Sequence, residues 1–517
     1  MKQINLKVRN LKRVKFFIPE CMEYAAVAYG ETVGIDLTKA FSGGWYFGLK
    51  EGRLLKGRKM GDCIEEKRTF RREYLEFNGV RFVFTDVRDV DELLKVIDGN
   101  LADDLPTIIH MDTYYSYWGF LYQREHSAHL AVAVAIEPDH KKVWIVDPEF
   151  SEEAFSVDLE LLEKASKFYV EVKIENENKY SNHELLKMVC LKKVNFIEQF
   201  DQMEQFTNAF KEYFVPSVEF ENEMDVDCVL DSELITRIRQ LIKGRNLFIV
   251  FLEQFQEMEE KVSQVIDYLY ISIGKWNTVM NMMFKAARTR WRPDFNEKVY
   301  NILMSAVQIE REAYEILQSY IKGSTTPEVQ RLSEPVKMEC IPVDIRDKCN
   351  NRGFIYQEQD KRDCDLTGDG EYILLNAAYE SISYNGITFK TNFRSKNDNI
   401  VCKGQIISIN KSAPVYSLAF LLCAEWGGCE DSIKVIFENG NKAIMKITAN
   451  DISDCSSGNI IEVGCSKKAT GEIVNSKVFI TYNKIVLGHR AQRIKAVQLP
   501  VNPHLHVVAV SKLSIKS

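Results

Sequence analysis

His129-Leu130-Ala131-Val132-Ala133-Val134-Ala135-Ile136-Glu137-Pro138-Asp139-His140-Lys141-Lys142-Val143-Trp144-Ile145-Val146-Asp147-Pro148 is the stretch from which the fold of the amino-terminal region is read. An apolar run from His129 to Ile136 precedes a polar turn, Glu137 to Lys142, and Val143 to Val146 returns as a partner strand. Strands rise about 3.3 Å per residue, so the His129 and Asp147 ends of such a hairpin lie side by side. One end of a sheet thereby receives an imidazole and a carboxylate.

Upstream, Pro19-Glu20-Cys21-Met22-Glu23-Tyr24-Ala25-Ala26-Val27-Ala28 reads as a helix start with a thiol in its first turn. The reactive form of cysteine is the thiolate, which a helix N-terminus and an adjacent imidazolium stabilise. The imidazole must in turn be held in one tautomer by a third group. Cys21, His129 and Asp147, in that order, satisfy the requirement of a papain-like thiol catalyst. The same residues also admit a plainer reading, with Cys21 as a small core side chain and Asp147-Pro148 as a turn. His126, three residues before His129, is a rival base; His129 is preferred because it adjoins the strand directly.

Further residues extend the pattern over roughly residues 1–150. They are Cys21, the glycine-rich Phe41-Ser42-Gly43-Gly44-Trp45-Tyr46-Phe47-Gly48-Leu49, Asp112-Thr113-Tyr114-Tyr115-Ser116-Tyr117, His126-Ser127-Ala128-His129, and Val146-Asp147-Pro148. This set resembles the amino-terminal domain of the butirosin biosynthesis protein H family, itself similar to bacteriocin-leader double-glycine peptidases. The resemblance implies a papain-like Cys/His/Asp fold. It also implies transfer of an acyl or aminoacyl group from the phosphopantetheine thioester of an acyl or peptidyl carrier protein to a small-molecule amine or peptide acceptor. The expected role is therefore a cysteine-dependent acyltransferase of specialised peptide or antibiotic assembly, with no cofactor bound by the chain itself. A thioesterase or cysteine peptidase with the same triad, and a non-catalytic carrier-protein-binding scaffold, are the alternatives.

Gly43, Gly44 and Trp45 are expected to let the backbone approach the cleft, and Asp112, Tyr114, Tyr115 and His126 to border it; core packing of the tyrosines is the competing reading. Papain-like enzymes usually place a glutamine several residues before the cysteine as an oxyanion donor. Val14, Lys15 and Phe16 occupy that region here, and no glutamine lies between Gln3 and Cys21. The Cys21 backbone N–H can serve as one donor. With no second donor identified, an already activated thioester suits this chain better than an amide.

Composition bounds the rest. A chain of 517 residues with 45% hydrophobic content supports two to four domains, and a net charge of -7 argues against nucleic acid as partner. Neither a membrane-length apolar run nor a signal-peptide core is present, so a cytoplasmic protein is expected. Its 12 cysteines form no CxxC pair, which points to reduced thiols.

The expected class is α+β and multidomain: a papain-like cysteine domain at 1–178, an α-helical bundle at 179–325, a linker at 326–345 and a β-sandwich or jelly roll at 346–517. The helical reading rests on three-and-four apolar spacing through Leu230–Leu252, Met258–Ile271 and Lys298–Ile321. Lys285, Arg288, Arg290, Trp291 and Arg292 form a basic cluster that could dock an acidic carrier protein, whose pantetheine arm carries a phosphate, or simply a solvated helix end. Short strands recur beyond residue 345, with Glu438-Asn439-Gly440-Asn441 as a hairpin turn. Tyr416–Leu422, the Asn439-Gly440 hairpin and Leu499–Val510 resemble galactose-binding-like sandwiches, which implies that fold without implying sugar binding. Asp365-Leu366-Thr367-Gly368-Asp369-Gly370 begins like a calcium loop but lacks the later glutamate and flanking helices, so a turn is expected. His504 and His506 alternate onto one strand face, where a metal pair is conceivable but lacks a third ligand.

Overall fold

The computed structural model describes residues 3–13, 20–50, 52–65, 70–139, 141–175, 180–190, 195–220, 226–255, 260–289, 291–322, 338–357, 363–409, 414–456, 458–487 and 492–515. The chain is an α+β protein that divides into two compact units. The first comprises Met1–Tyr46, Glu66–Phe196 and Arg239–Ser263; the second comprises Phe47–Glu65, Ile197–Ile238 and Gln264–Ser517.

The first unit is built on β1 (Val80–Asp86), β2 (Thr107–Asp112), β3 (Ala128–Ile136), β4 (Lys142–Val146), β5 (Ala154–Asp158) and β6 (Phe168–Ile174). They form one sheet in the order β1-β6-β2-β3-β4-β5, every neighbouring pair antiparallel. The hairpin expected from the sequence is β3–β4, with Val132 opposite Val146 and Ile136 opposite Val143. β3 is buried from His129 onward because it lies inside the sheet between β2 and β4. β5 has no apolar run to mark it in the sequence: its half-polar Ala154-Phe155-Ser156-Val157-Asp158 lies at the sheet edge.

Accompanying this sheet are α1 (Cys21–Val33), α2 (Arg71–Asn78), α3 (Val90–Ala102), α4 (Leu159–Ala165) and α5 (Asn182–Met188). α1 packs along β3, buries Met22 through Gly30, and ends at Gly34 in the left-handed conformation (φ +82°). Leu93, Leu94, Ile97 and Leu101 of α3 join Leu162 of α4 over Ile109, Met111, Ala131, Ala133 and Ile145 of the sheet.

The segment Arg239–Ser263 brings most of a helix from the bundle region into this unit. That helix, α9 (Glu233–Leu252), follows α6 (Phe196–Tyr213), α7 (Pro216–Glu219) and α8 (Val226–Leu230). From Leu241 to Val250 it is buried on all sides, as a helix must be when its apolar residues are not confined to one stripe. The stretch read as a helical bundle at 179–325 is thus shared between both units. Its remaining long helices, α10 (Glu260–Thr289) and α11 (Phe295–Ile321), lie almost wholly in the second.

The second unit's strands are β7 (Met338–Val343), β8 (Phe354–Ile355), β9 (Glu371–Leu375), β10 (Ser381–Tyr384), β11 (Ile387–Lys390), β12 (Ile400–Lys403), β13 (Ile406–Ser408), β14 (Val415–Ala424), β15 (Cys429–Phe437), β16 (Lys442–Ala449), β17 (Ile460–Lys468), β18 (Ile473–Val486), β19 (Ile494–Gln498) and β20 (Val501–Ile515). One sheet runs β12-β20-β14-β18-β17-β9-β8, with β7 also on β20; a second runs β13-β19-β15-β16. Residues 338–343, placed in the linker by the sequence reading, are therefore a sheet strand, satisfied by backbone pairing with β20. β14 alternates between two cores. Leu418, Phe420 and Leu422 enter one with Ile433 and Val435 of the smaller sheet; Ala419, Leu421 and Cys423 enter the other with Ile382 and Phe389 of the β10–β11 hairpin. The turn at Asn439-Gly440 closes β15–β16, with Gly440 at φ +87°. Among the described residues no helix is long and apolar enough to cross a membrane.

Candidate active site

Cys21 is the first residue of α1, so its backbone N–H has no acceptor one turn back within the helix. Its side chain is half-buried. His129, one residue into β3, is buried, and Asp147, immediately after β4, is fully so. His129 Nε2 lies 2.8 Å from Asp147 Oδ2. A carboxylate only accepts, so Nε2 carries the proton and Nδ1 is left for the thiol; Cys21 is the imidazole's other side-chain partner. The three residues singled out in the sequence are brought together in one hydrogen-bonded chain.

Burial alone would favour neutral imidazole. The hydrogen bonds from Asp147 and Cys21, reinforced by their charges, outweigh it and raise the His129 pKa to about 10. Asp147 is itself fixed. Trp118 Nε1 donates to the same Oδ2 at 2.8 Å, and the backbone N–H of Glu149 donates to Oδ1 at 3.2 Å. The Asp147 carbonyl also accepts from the N–H groups of Phe150 and Ser151, which locks the turn leaving β4. Asp147-Pro148 is both a turn and the third member of the constellation.

The triad lines a cavity of about 370 Å³ whose walls include Thr113, Ser116, Phe120, Ser127, Glu149 and Phe150. Phe120 and Phe150 are exposed at this cavity with ring centroids 6.0 Å apart, and Phe150 lies 5.8 Å from the imidazole. Glu149 places a carboxylate oxygen 3.9 Å from His129 Nδ1; burial raises its pKa against the opposing pull of the histidine. Trp118, Phe120, Glu149 and Phe150 were not found from the sequence. The signals available were the continuation of the aromatic stretch beyond Tyr117 and an acidic residue two places after Asp147.

The other expected site residues are placed differently. Trp45 is buried against Phe196 and Phe248, at 4.8 and 5.5 Å between ring centroids, so it is a core side chain rather than a cleft residue. Gly43 closes a short 3-10 turn. Gly44 faces the backbone of Gly244 in α9, and a Cβ on either glycine would fall 2.3 Å from the other's carbonyl oxygen. The glycines therefore serve a helix crossing, not the cleft. Asp112 ends β2 and accepts from the Tyr114 N–H and from exposed His126, whose ring stacks on Tyr114 at 4.2 Å. Asp112, Tyr114, Tyr115 and His126 flank Thr113 and Ser127 without themselves lining the cavity. His126 has a carboxylate of its own, Asp112. Val14, Lys15, Phe16 and Pro19 lie outside the described residues.

Beneath the first turn of α1, Lys243 of α9 binds both Glu20 and Glu23, the latter at 3.3 Å. Burial pushes the Glu23 carboxyl up to about 7, with Lys243 opposing.

In the second unit, Trp291 of the basic cluster is half-buried, stacked on Phe220 and edge-on to Phe295; Arg290 lies outside the described residues. Asp365–Gly370 is a turn in which Asp365 Oδ1 accepts from the N–H groups of Gly368 and Gly370. His504 and His506 are both buried, and among the described residues no group of three or more His, Cys, Asp or Glu is arranged to hold a metal ion. A scan against protein-family models finds no match to this chain, and a search of curated proteins finds none either.

Proposed function

We propose that the chain is a cysteine-dependent acyltransferase that forms amides from a carrier-protein thioester in the cytoplasm, on a papain-like amino-terminal fold with a jelly-roll region beyond it. The observation that carries this reading is the hydrogen-bonded sequence Cys21, His129, Asp147 at the wall of one cavity. In the first step the Cys21 sulfur attacks the thioester carbonyl. The pantetheine thiol leaves with the proton held by His129, and the acyl group remains on Cys21. An acceptor amine then attacks that acyl group, its proton passes to His129, and the Cys21 thiolate departs as the amide forms.

Asp147 keeps the Nε2 proton in place, so that Nδ1 is the nitrogen that exchanges protons with sulfur and amine. The backbone N–H of Cys21, at the positive end of α1, faces the oxyanion in each step. The exposed aromatic edges of Phe120 and Phe150 suit an acyl group with apolar character.

Intact-mass spectrometry with an acyl-pantetheine tests this directly. Wild-type protein is expected to gain the acyl mass, Cys21→Ala none, and amines should discharge the adduct faster than water does. Discharge by water alone would make the protein a thioesterase. No adduct across a broad acyl panel, with carrier-protein binding retained, would make it a scaffold.

A further inference from the structure

The second unit contains a separate cavity of about 100 Å³ whose chemistry the acyltransferase reading does not use. Three cations line it: Lys285 from the last turns of α10, Arg292 from the α10–α11 connection, and Lys298 from the first turn of α11. Gly368 of the Asp365–Gly370 turn and His504 of β20 complete the wall, with Asp294 at the start of α11.

The cations are only partly neutralised. Lys285 Nζ lies 2.8 Å from Glu425 Oε1, and Lys298 Nζ lies 2.7 Å from Asp294 Oδ2. Arg292 donates to the Gly368 carbonyl at 3.2 Å, and among the described residues no carboxylate pairs with it. Asp294 makes no side-chain cap, so the positive end of the 27-residue α11 adds to the same field.

His504 is the second observation. It is 2% exposed, and neither ring nitrogen has a hydrogen-bond partner among the described residues. Its nearest carboxylate, Glu425, is 3.9 Å from Nδ1, beyond hydrogen-bonding distance. Burial, with help from Lys285, pushes its pKa down to about 3 against the opposing charge of Glu425, so the ring is neutral and keeps one N–H to donate. A buried imidazole on a cavity wall without a protein partner is disfavoured unless something in that cavity pairs with it. A cation is the poorer candidate, because it would have to displace Lys285 from Glu425.

We propose that this cavity binds the phosphate group of a small phosphorylated ligand, with Arg292 and Lys298 supplying charge-assisted hydrogen bonds and His504 a neutral donor. A planar guanidinium, two ammonium groups and an imidazole lining one cavity suit a tetrahedral anion with several acceptor oxygens better than a two-oxygen carboxylate. The volume fits such a head group; whole drug-sized ligands occupy about 300–1,000 Å³. The proposal is independent of the chemistry at Cys21.

Isothermal titration of the full chain with inorganic phosphate, glycerol phosphate and acetate, at ionic strength held constant with sodium chloride, tests it. Saturable binding of glycerol phosphate, with or without free phosphate, and none of acetate, is expected; Arg292→Gln should weaken it at least tenfold and Lys298→Gln severalfold. Lys298 is substantially exposed, so its replacement is expected to leave the fold intact, and that variant decides if Arg292→Gln does not fold. Absence of saturable glycerol phosphate binding, equal binding of acetate, or unchanged affinity in the folded variants would overturn the proposal. A Cys21→Ala protein should bind phosphate as wild type does, which separates failure here from failure of the acyltransferase reading.

Discussion

The indole of Trp118 and the imidazole of His129 converge on a single oxygen, each 2.8 Å from Asp147 Oδ2. Two donors on one acceptor hold the carboxylate in the plane that His129 needs. Trp118→Phe removes one donor and keeps the stack on Phe155, which has parallel rings 4.9 Å apart. A loss of about tenfold in kcat/KM for acyl transfer is expected, ~1.4 kcal/mol. Steady-state kinetics with an acyl-pantetheine measures it, and wild-type rates in the variant would remove Trp118 from the mechanism.

The raised pKa of His129 has a definite pH signature. In the unfolded chain the imidazole loses its proton near pH 6.5; in the folded chain it keeps it up to about 10. The stabilisation from this group is therefore complete below about pH 6.5 and is lost as pH rises through about 10. Urea midpoints of wild type and Asp147→Asn should differ most near pH 6 and converge toward pH 10. A nitrogen spectrum at pH 8 that finds His129 neutral in the resting protein would contradict this.

Lys243 counters a carboxylate that burial works against. Lys243→Met leaves Glu23 in the same apolar surroundings without its cation and should cost stability wherever Glu23 is ionised, reaching about 3 kcal/mol well above pH 7. Because the Glu23 pKa is already raised to about 7, the deficit should be small near pH 5, where the group is protonated, and widen as pH climbs. Denaturant titrations of both proteins at the two pH values provide the comparison.

The Gly44–Gly244 crossing tolerates no side chain. Gly244→Ala places a methyl group 2.3 Å from the Gly44 carbonyl oxygen, so α9 must shift; a loss of about 2 kcal/mol is expected. Gly99→Ala, with open space around its Cβ position, should be neutral or stabilising by comparison. Thermal melts of the two variants side by side distinguish crowding from a general intolerance of alanine.

The triad was legible because its members stand at element boundaries that the apolar pattern marks: a helix start for Cys21, a strand start for His129, a strand end for Asp147. Strand β1 and the three long helices were visible for the same reason, since their periodicity is sustained. What could not be read was contact at long range. Trp45 appears in a glycine-rich run that suggests a loop, yet Phe196 and Phe248 bury it; Lys243 gives no hint in sequence that it serves Glu23, 220 residues earlier. Pairing of β7 with β20 was equally hidden, because Met338–Val343 is short and carries Pro342.

The position of α9 bears on how this protein is made. The first 196 residues emerge from the ribosome with a pocket for Phe248 beside Trp45, an unpaired Glu23, and the partner carbonyl of Asn246 at Leu11 still waiting. Completion of the unit that holds Cys21, His129 and Asp147 must await synthesis through residue 263, so a fragment cut at the apparent end of the amino-terminal region is an unfinished fold, and nascent chains stalled there are substrates for chaperones.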